Sequence, residues 1–64
     1  MVEVGQTIVV IGKQNYGAVT LTDGQTGTVD KVGEGYFYAS FDVGAEEPFR
    51  IDYEDDEEGV MWRV

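Results

Sequence analysis

Residues 27–42, GTVDKVGEGYFYASFD, decide the fold because they predict two β-strands joined by a tight hairpin. The turn falls at residues 32–36, where paired glycines supply the positive φ angles that tight hairpins require. In the run 36–42, Phe, Ala and Phe alternate with Tyr, Tyr and Ser. Because alternate side chains of a strand point to opposite faces, we expect the Phe face to be buried. Tyr36 and Tyr38 would then form an outer stripe.

The rest of the chain repeats this pattern of short strands and turns. Nine glycines separate runs rich in Val, Thr, Tyr, Phe and Ile, which suit a pleated, half-buried surface. Further strands are predicted at 7–11, 18–22, 49–53 and 60–64, and loops or turns at 12–17, 23–24, 44–48 and 54–58. Five or six short strands at roughly 8–12-residue spacing predict an all-β fold, a small antiparallel barrel or sandwich. We expect residues 1–64 to form one such domain.

Large apolar side chains are expected to fill the interior of this barrel. A chain of 64 residues buries little surface and needs several such side chains for stability. We expect the core to contain Phe37, Phe41, Phe49 and Trp62. By alternation, Val60 and Val64 would share the face of Trp62 in the last strand.

Three segments together are similar to the SH3-like small barrel. They are Gly5-Gln6-Thr7-Ile8-Val9-Val10, Gly27-Thr28-Val29-Asp30-Lys31-Val32 and Tyr38-Ala39-Ser40-Phe41-Asp42. Over residues 5–42 the chain resembles the barrels of KOW-type domains and of photosystem I subunit IV. In those barrels a Gly-x-Val-x-x-Val strand leads by a hairpin into a strand that ends Phe-Asp.

The resemblance also implies places for individual residues. Val29, Val32 and Phe41 would lie in the core, and Gly27 would lie at a close approach of the backbone. KOW domains often use basic residues to contact RNA or the ribosome, and this chain has only four basic residues. Because small barrels of this kind serve many unrelated functions, function has to be inferred from the charges and the aromatic residues.

Acidic residues outnumber basic ones and are concentrated in the last third of the chain. There are 13 Asp and Glu residues against 4 Lys and Arg residues, a net charge of −9. Residues 42–64 contain nine of the acids, and residues 1–41 contain four. Because binding to a phosphate backbone needs cations, we expect neither nucleic acid nor an anionic membrane as a direct partner.

The densest charge lies in residues 52–58, where six of seven side chains are carboxylates. Like charges this close repel one another and add nothing to folding, so we hypothesise that they meet a basic surface on a partner protein. Aromatic residues would anchor this contact while the charges steer the encounter. The predicted partner-binding residues are Asp52, Tyr53, Glu54, Asp55, Asp56, Glu57, Glu58, Tyr36 and Tyr38. The alternative is a solvated loop that only keeps the protein soluble.

A sharper hypothesis is mimicry of nucleic-acid charge. Carboxylates on strand ends and loops can approximate a row of phosphates and so occupy the groove of a nucleic-acid-binding protein. By analogy with viral inhibitors of host enzymes, such a protein would be a phage inhibitor in the host cytoplasm. The competing hypothesis is a structural subunit or assembly adaptor that uses the barrel edge and the tyrosine stripe. We expect a monomer.

The chain offers little for catalysis or metal binding. It has no histidine and no cysteine, and its only serine, Ser40, is predicted in mid-strand. Acids alternate from Asp52 to Glu58, as in a calcium loop. The sixth and twelfth positions, however, hold Glu57 and Arg63 where an EF-hand needs Gly and Glu. We therefore expect a non-enzymatic protein without a cofactor or a specific metal site.

Nothing in the sequence predicts export or membrane insertion. Residues 1–5 lack the basic region of a signal peptide, and the longest aliphatic run, residues 8–11, is far shorter than the roughly 20 residues that span a bilayer. The absence of cysteine fits a reducing compartment. We expect a cytoplasmic protein.

Overall fold

Seven short β-strands form the regular secondary structure of the part of the chain that the structure describes. The computed structural model describes residues 2–16, 19–41 and 48–64, and no helix occurs in these ranges. The strands are β1 (Thr7–Val10), β2 (Gln14–Tyr16), β3 (Val19–Leu21), β4 (Thr26–Val32), β5 (Tyr36–Phe41), β6 (Phe49–Asp52) and β7 (Trp62–Arg63). Within the described ranges there is accordingly no helix that could span a lipid bilayer.

The strands form a curled five-stranded sheet and a separate two-stranded one. The order in the larger sheet is β6-β5-β4-β1-β7 with every pair antiparallel, and β2 pairs with β3. This arrangement confirms the predicted all-β class and small barrel architecture. It is compatible with an SH3-like barrel.

The central hairpin, β4–β5, follows the prediction closely. Residues 36–41 are paired to β4 on one side and to β6 on the other. Gly35 has the positive φ, 83°, that the turn requires. Gly33 has a different role, since a Cβ there would collide with the ring of Tyr36.

A β-bulge interrupts β4 at Asp30. Val29 pairs with Ala39, and the next pair joins Lys31 to Tyr38, so that Asp30 is an extra residue on its strand. In a regular strand without the bulge, strict alternation would place Lys31 on the same inner face as Val29. The bulge keeps Lys31 exposed and lets Val32 pack against the core.

The core lies on the inner face of the sheet and contains the predicted aromatic residues. Phe37, Phe41 and Trp62 are buried, and Phe49 is half-buried and packs against them. The other buried side chains are Val2, Ile8, Val10, Leu21, Val29, Ala39 and Ile51. The prediction that the Phe face of β5 points inward is confirmed.

Gly27 lies at the close approach that the resemblance implied. It pairs with Phe41 across β4 and β5. A Cβ at Gly27 would lie 2.5 Å from Cε2 of the Phe41 ring, far inside van der Waals contact. The absence of a side chain at this position therefore makes room for a core aromatic ring.

Two predictions about strands were wrong. Residues 14–16 were expected in a loop but form β2, because Gln14, Asn15 and Tyr16 pair with residues 19–21. Sequence periodicity missed this strand because its residues are polar or aromatic rather than aliphatic. β6 also ends at Asp52, so that Tyr53 begins a turn and does not extend the strand.

The prediction that Val60 and Val64 share the buried face of Trp62 was also wrong. Trp62 is only 2% exposed, whereas Val60 is 60% and Val64 50% exposed. β7 has two residues, so alternation does not carry beyond Trp62 and Arg63. Met61, expected on the other face, packs against the core. The predicted strand end at Asp42 and most of the predicted loop 44–48 lie outside the described residues.

Candidate docking surface

Residues 52–58, here called the acid turn, fold back on their own backbone. The Asp56 N–H donates to the Asp52 carbonyl at 2.8 Å, and the Asp52 N–H donates to Oδ2 of Asp56 at 3.4 Å. The Tyr53 N–H donates to the Gly35 carbonyl at 3.1 Å, which joins the turn to the β4–β5 hairpin. Residues 54–58 therefore belong to a folded turn, as predicted, and hydrogen bonds connect the backbone of the tract to the sheet.

Trp62 fastens the acid turn to the core. Its buried indole donates from Nε1 to the Asp56 carbonyl at 2.6 Å. Its own carbonyl accepts from the Gly59 N–H at 2.7 Å, and the Met61 N–H donates to the Glu57 carbonyl at 2.9 Å. A core side chain thus holds the peptide that carries the carboxylates.

The six carboxylates of the acid turn fall into two groups. Asp52 and Asp56 are half-buried and take part in local hydrogen bonds. The remaining four are exposed and are here called the outer acids; they are Glu54, Asp55, Glu57 and Glu58. These four are therefore the most accessible carboxylates of the acid turn.

Tyr53 lies differently from the other predicted docking residues. Its half-buried ring packs against the core, with its centroid 5.5 Å from that of Phe37 and 6.0 Å from that of Trp62. Its hydroxyl accepts a hydrogen bond from the Val2 N–H at 3.2 Å. These contacts anchor the start of the acid turn.

Tyr36 and Tyr38 lie on the outer face of β5, as alternation predicts. Both are half-buried, and their rings meet edge to face with centroids 5.7 Å apart. Asp52 lies opposite Tyr36 in the register of β5 and β6. The structure therefore brings Tyr36, with Tyr38 beside it, next to Asp52, the first residue of the acid turn.

Arg50 belongs to this surface and was missed by the sequence analysis. Its guanidinium carbon lies 4.3 Å from the centroid of Tyr36. Its Nε and Nη2 both donate to Oδ1 of Asp52 at 3.2 Å. The hydrogen bond to Asp52, followed by the charge of that carboxylate, raises the pKa of Arg50. An arginine is protonated at neutral pH in any case. The sequence did indicate that Arg50 lies beside Asp52, because residues two apart on a strand share a face.

The described residues contain neither a cavity nor a group of three or more potential metal ligands. Ser40 is on the exposed outer face, where its hydroxyl donates to Oδ2 of Asp30. In the part of the chain that the structure describes, the charges and aromatic rings of this surface therefore lie outside any pocket.

Added salt is expected to raise the melting temperature. The outer acids share one exposed turn, and the ion pair found in the described part of the chain, between Arg50 and Asp52, leaves them uncompensated. Their mutual repulsion is screened between low and about 150 mM salt. Thermal melts over this range would show the rise. A flat or falling melting temperature would contradict the repulsion.

Comparison with known proteins adds no relative. No protein-family model matches the chain, and no similar protein was found among curated proteins or solved structures.

Proposed function

We propose that the protein is a non-enzymatic binding module that docks on a basic surface of another protein. The observation that carries this proposal is the fastening of the acid turn by Trp62. The hydrogen bond from its indole to the Asp56 carbonyl, at 2.6 Å, fixes the backbone that presents the outer acids. Preorganised charges lose less entropy on binding than charges on a flexible tail, so this arrangement favours docking over a purely solubilising role.

In its specific form, the proposal is an inhibitor that imitates the charge of nucleic acid and blocks a nucleic-acid-binding protein, as a phage protein would in a host cell. The density of exposed carboxylates and the net charge of −9 support this form. Long-range attraction would speed the encounter with a positively charged groove. The half-buried tyrosines beside Asp52 would supply contact once the groove is reached.

A titration with hexalysine tests the charge-driven contact. We expect chemical-shift changes in the amide spectrum at the outer acids and at Tyr36 and Tyr38, and affinity that falls steeply between low and about 150 mM salt. Converting the outer acids to Gln or Asn should abolish most of this binding. Asp56 is left unchanged because it is half-buried, so that the four substituted acids are all exposed.

A second quadruple variant provides the matched control. It converts the four acids of residues 1–41, which are Glu3, Asp23, Asp30 and Glu34, to the corresponding amides. Both variants remove four negative charges and change the net charge from −9 to −5. If both lose hexalysine binding equally, net charge alone is responsible and the acid turn is not a docking site.

A displacement assay tests whether the folded presentation of the carboxylates strengthens binding. A fluorescent DNA duplex bound to polylysine is displaced by the protein and, separately, by a synthetic heptapeptide with the sequence of residues 52–58. The folded protein should displace the duplex at lower concentration per carboxylate than the flexible peptide does. If the peptide and the folded protein are equally potent per carboxylate, preorganisation of the acid turn does not contribute to binding.

The edge-to-face pair on β5 favours a second candidate, an assembly adaptor that binds through the tyrosines. Tyr36 and Tyr38 lie on the outer face although their rings are large and apolar. With an identified partner, loss of binding on Tyr36→Ala or Tyr38→Ala, together with full binding by the variant lacking the outer acids, would establish the adaptor role and overturn the charge-driven one.

A further inference from the structure

We propose that Tyr36 and Asp52 form a binding site for an arginine side chain of the partner, and that Arg50 occupies this site in the free protein. The inference rests on the proposed function and deepens it, since it names the group on the basic surface that is recognised. Its basis is the way in which the protein already holds one guanidinium.

The contacts of Arg50 define the chemistry of the site. The Tyr36 ring lies 4.3 Å from the guanidinium carbon, and Oδ1 of Asp52 accepts two hydrogen bonds of 3.2 Å from Nε and Nη2. A planar, delocalised cation can stack on an aromatic face and donate to a carboxylate at the same time. A lysine ammonium is a compact point charge without this planar surface. The site therefore prefers arginine.

Arg50 can leave this site and be replaced by an arginine of the partner. The side chain of Arg50 is 54% exposed and that of Asp52 35%. Ion pairs and cation–π contacts at exposed positions are weak, so a partner's arginine can replace Arg50 without disturbing the fold. The Tyr38 ring packs edge to face with Tyr36 at a centroid distance of 5.7 Å, and this contact helps to hold the receiving ring in place.

The position of the site links it to the outer acids. Asp52 is both the carboxylate that holds Arg50 and the first residue of the acid turn. A basic segment attracted by the outer acids would therefore arrive beside Tyr36. The outer acids would then attract the same segment of the partner whose arginine binds at Tyr36 and Asp52. Arg50 would compete with that arginine for the site.

The test removes the internal competitor and measures the preference for arginine. Arg50→Ala is compared with Arg63→Ala, which removes the same charge on β7 at the far end of the sheet order. Fluorescent hexaarginine and hexalysine are titrated into both variants. We expect the ratio of hexaarginine to hexalysine affinity to be roughly two- to fivefold higher for Arg50→Ala than for Arg63→Ala, because only a guanidinium can lie on the Tyr36 ring and donate paired hydrogen bonds to the Asp52 carboxylate at the same time.

Two second substitutions keep the proposal falsifiable. In the Arg50→Ala background, Tyr36→Leu removes the aromatic face, and Asp52→Asn removes the charge at nearly constant shape. Either should return the ratio to that of Arg63→Ala, with melting curves to confirm that each variant is folded. Should Tyr36→Leu destabilise the sheet, the Asp52→Asn measurement alone decides.

The outcomes separate this inference from the proposed function. Equal ratios for Arg50→Ala and Arg63→Ala, or a raised ratio that survives Asp52→Asn, would overturn the arginine site while charge-driven docking stands. Failure of the wild-type protein to bind either peptide at low salt would overturn both. An arginine preference that appears on removal of Arg50 and disappears with Asp52→Asn would support the site.

Discussion

Replacing Trp62 with alanine should leave the protein largely unfolded. The indole is 2% exposed and packs on Phe37 with centroids 4.9 Å apart, and truncation of a buried aromatic ring costs about 3–5 kcal/mol. A domain of this size has little more stability than that to lose. Urea denaturation followed by circular dichroism would measure the loss. Val60→Ala, at an exposed position two residues away, should change the free energy of unfolding by less than about 0.5 kcal/mol.

Trp62→Phe separates the two contributions of the indole. Phenylalanine keeps much of the apolar contact but cannot donate to the Asp56 carbonyl, and the loss of such a hydrogen bond typically costs about 0.5–1.5 kcal/mol. Amide exchange should then quicken at Asp56 and Met61 more than in β4 and β5. Uniform quickening across the molecule would mean that the hydrogen bond does not specifically hold the acid turn.

Phe41→Ala should cost a similar amount, about 3–5 kcal/mol, because the ring is buried against Gly27 and Phe49. Gly27→Ala should destabilise the protein by about 1–3 kcal/mol for the opposite reason, overpacking against the same ring. Both losses would be read from urea denaturation.

The two positions should therefore be coupled. In the double variant the smaller side chain at position 41 makes room for the new methyl group, so the combined loss should fall short of the sum by about 0.5–3 kcal/mol. Where Phe41→Ala leaves too little folded protein, Phe41→Leu serves in the same cycle. If the two losses of unfolding free energy add without any shortfall, the new methyl group at position 27 does not press on the Phe41 ring, and the proposed coupling is wrong.

The central hairpin could be predicted from sequence because its signals are local. Alternation placed Phe37 and Phe41 inside and Tyr36 and Tyr38 outside, and the structure agrees. The bulge at Asp30 could not be derived in this way, although a hint was present. Val29 and Val32 were both expected in the core, yet residues three apart cannot share one face of a regular strand. An extra residue between them resolves the conflict.

Other features depended on contacts between distant parts of the chain. β2 forms because residues 14–16 find partners in β3, and polar side chains give no periodic signal for such pairing. Alternation over the predicted strand 49–53 places Tyr53 on the same face as Ile51, but its contacts with Val2 and Phe37, which are remote in sequence, required the structure. The charge of the acid turn was visible in the sequence, but its attachment through the Trp62 indole required the structure.

The hydrogen bonds between Asp52 and Asp56 also bear on how the molecule behaves at high concentration. β6 is an outermost strand of the sheet, and such strands can recruit the backbone of a neighbouring molecule and begin aggregation. Here the peptide groups at the end of that strand are already engaged by the chain that follows, and the engaging segment is strongly anionic. A neighbouring molecule that approaches this end of β6 as an added strand would meet the engaged peptide groups of Asp52 and a like charge, which disfavours edge-to-edge pairing at this end of the sheet.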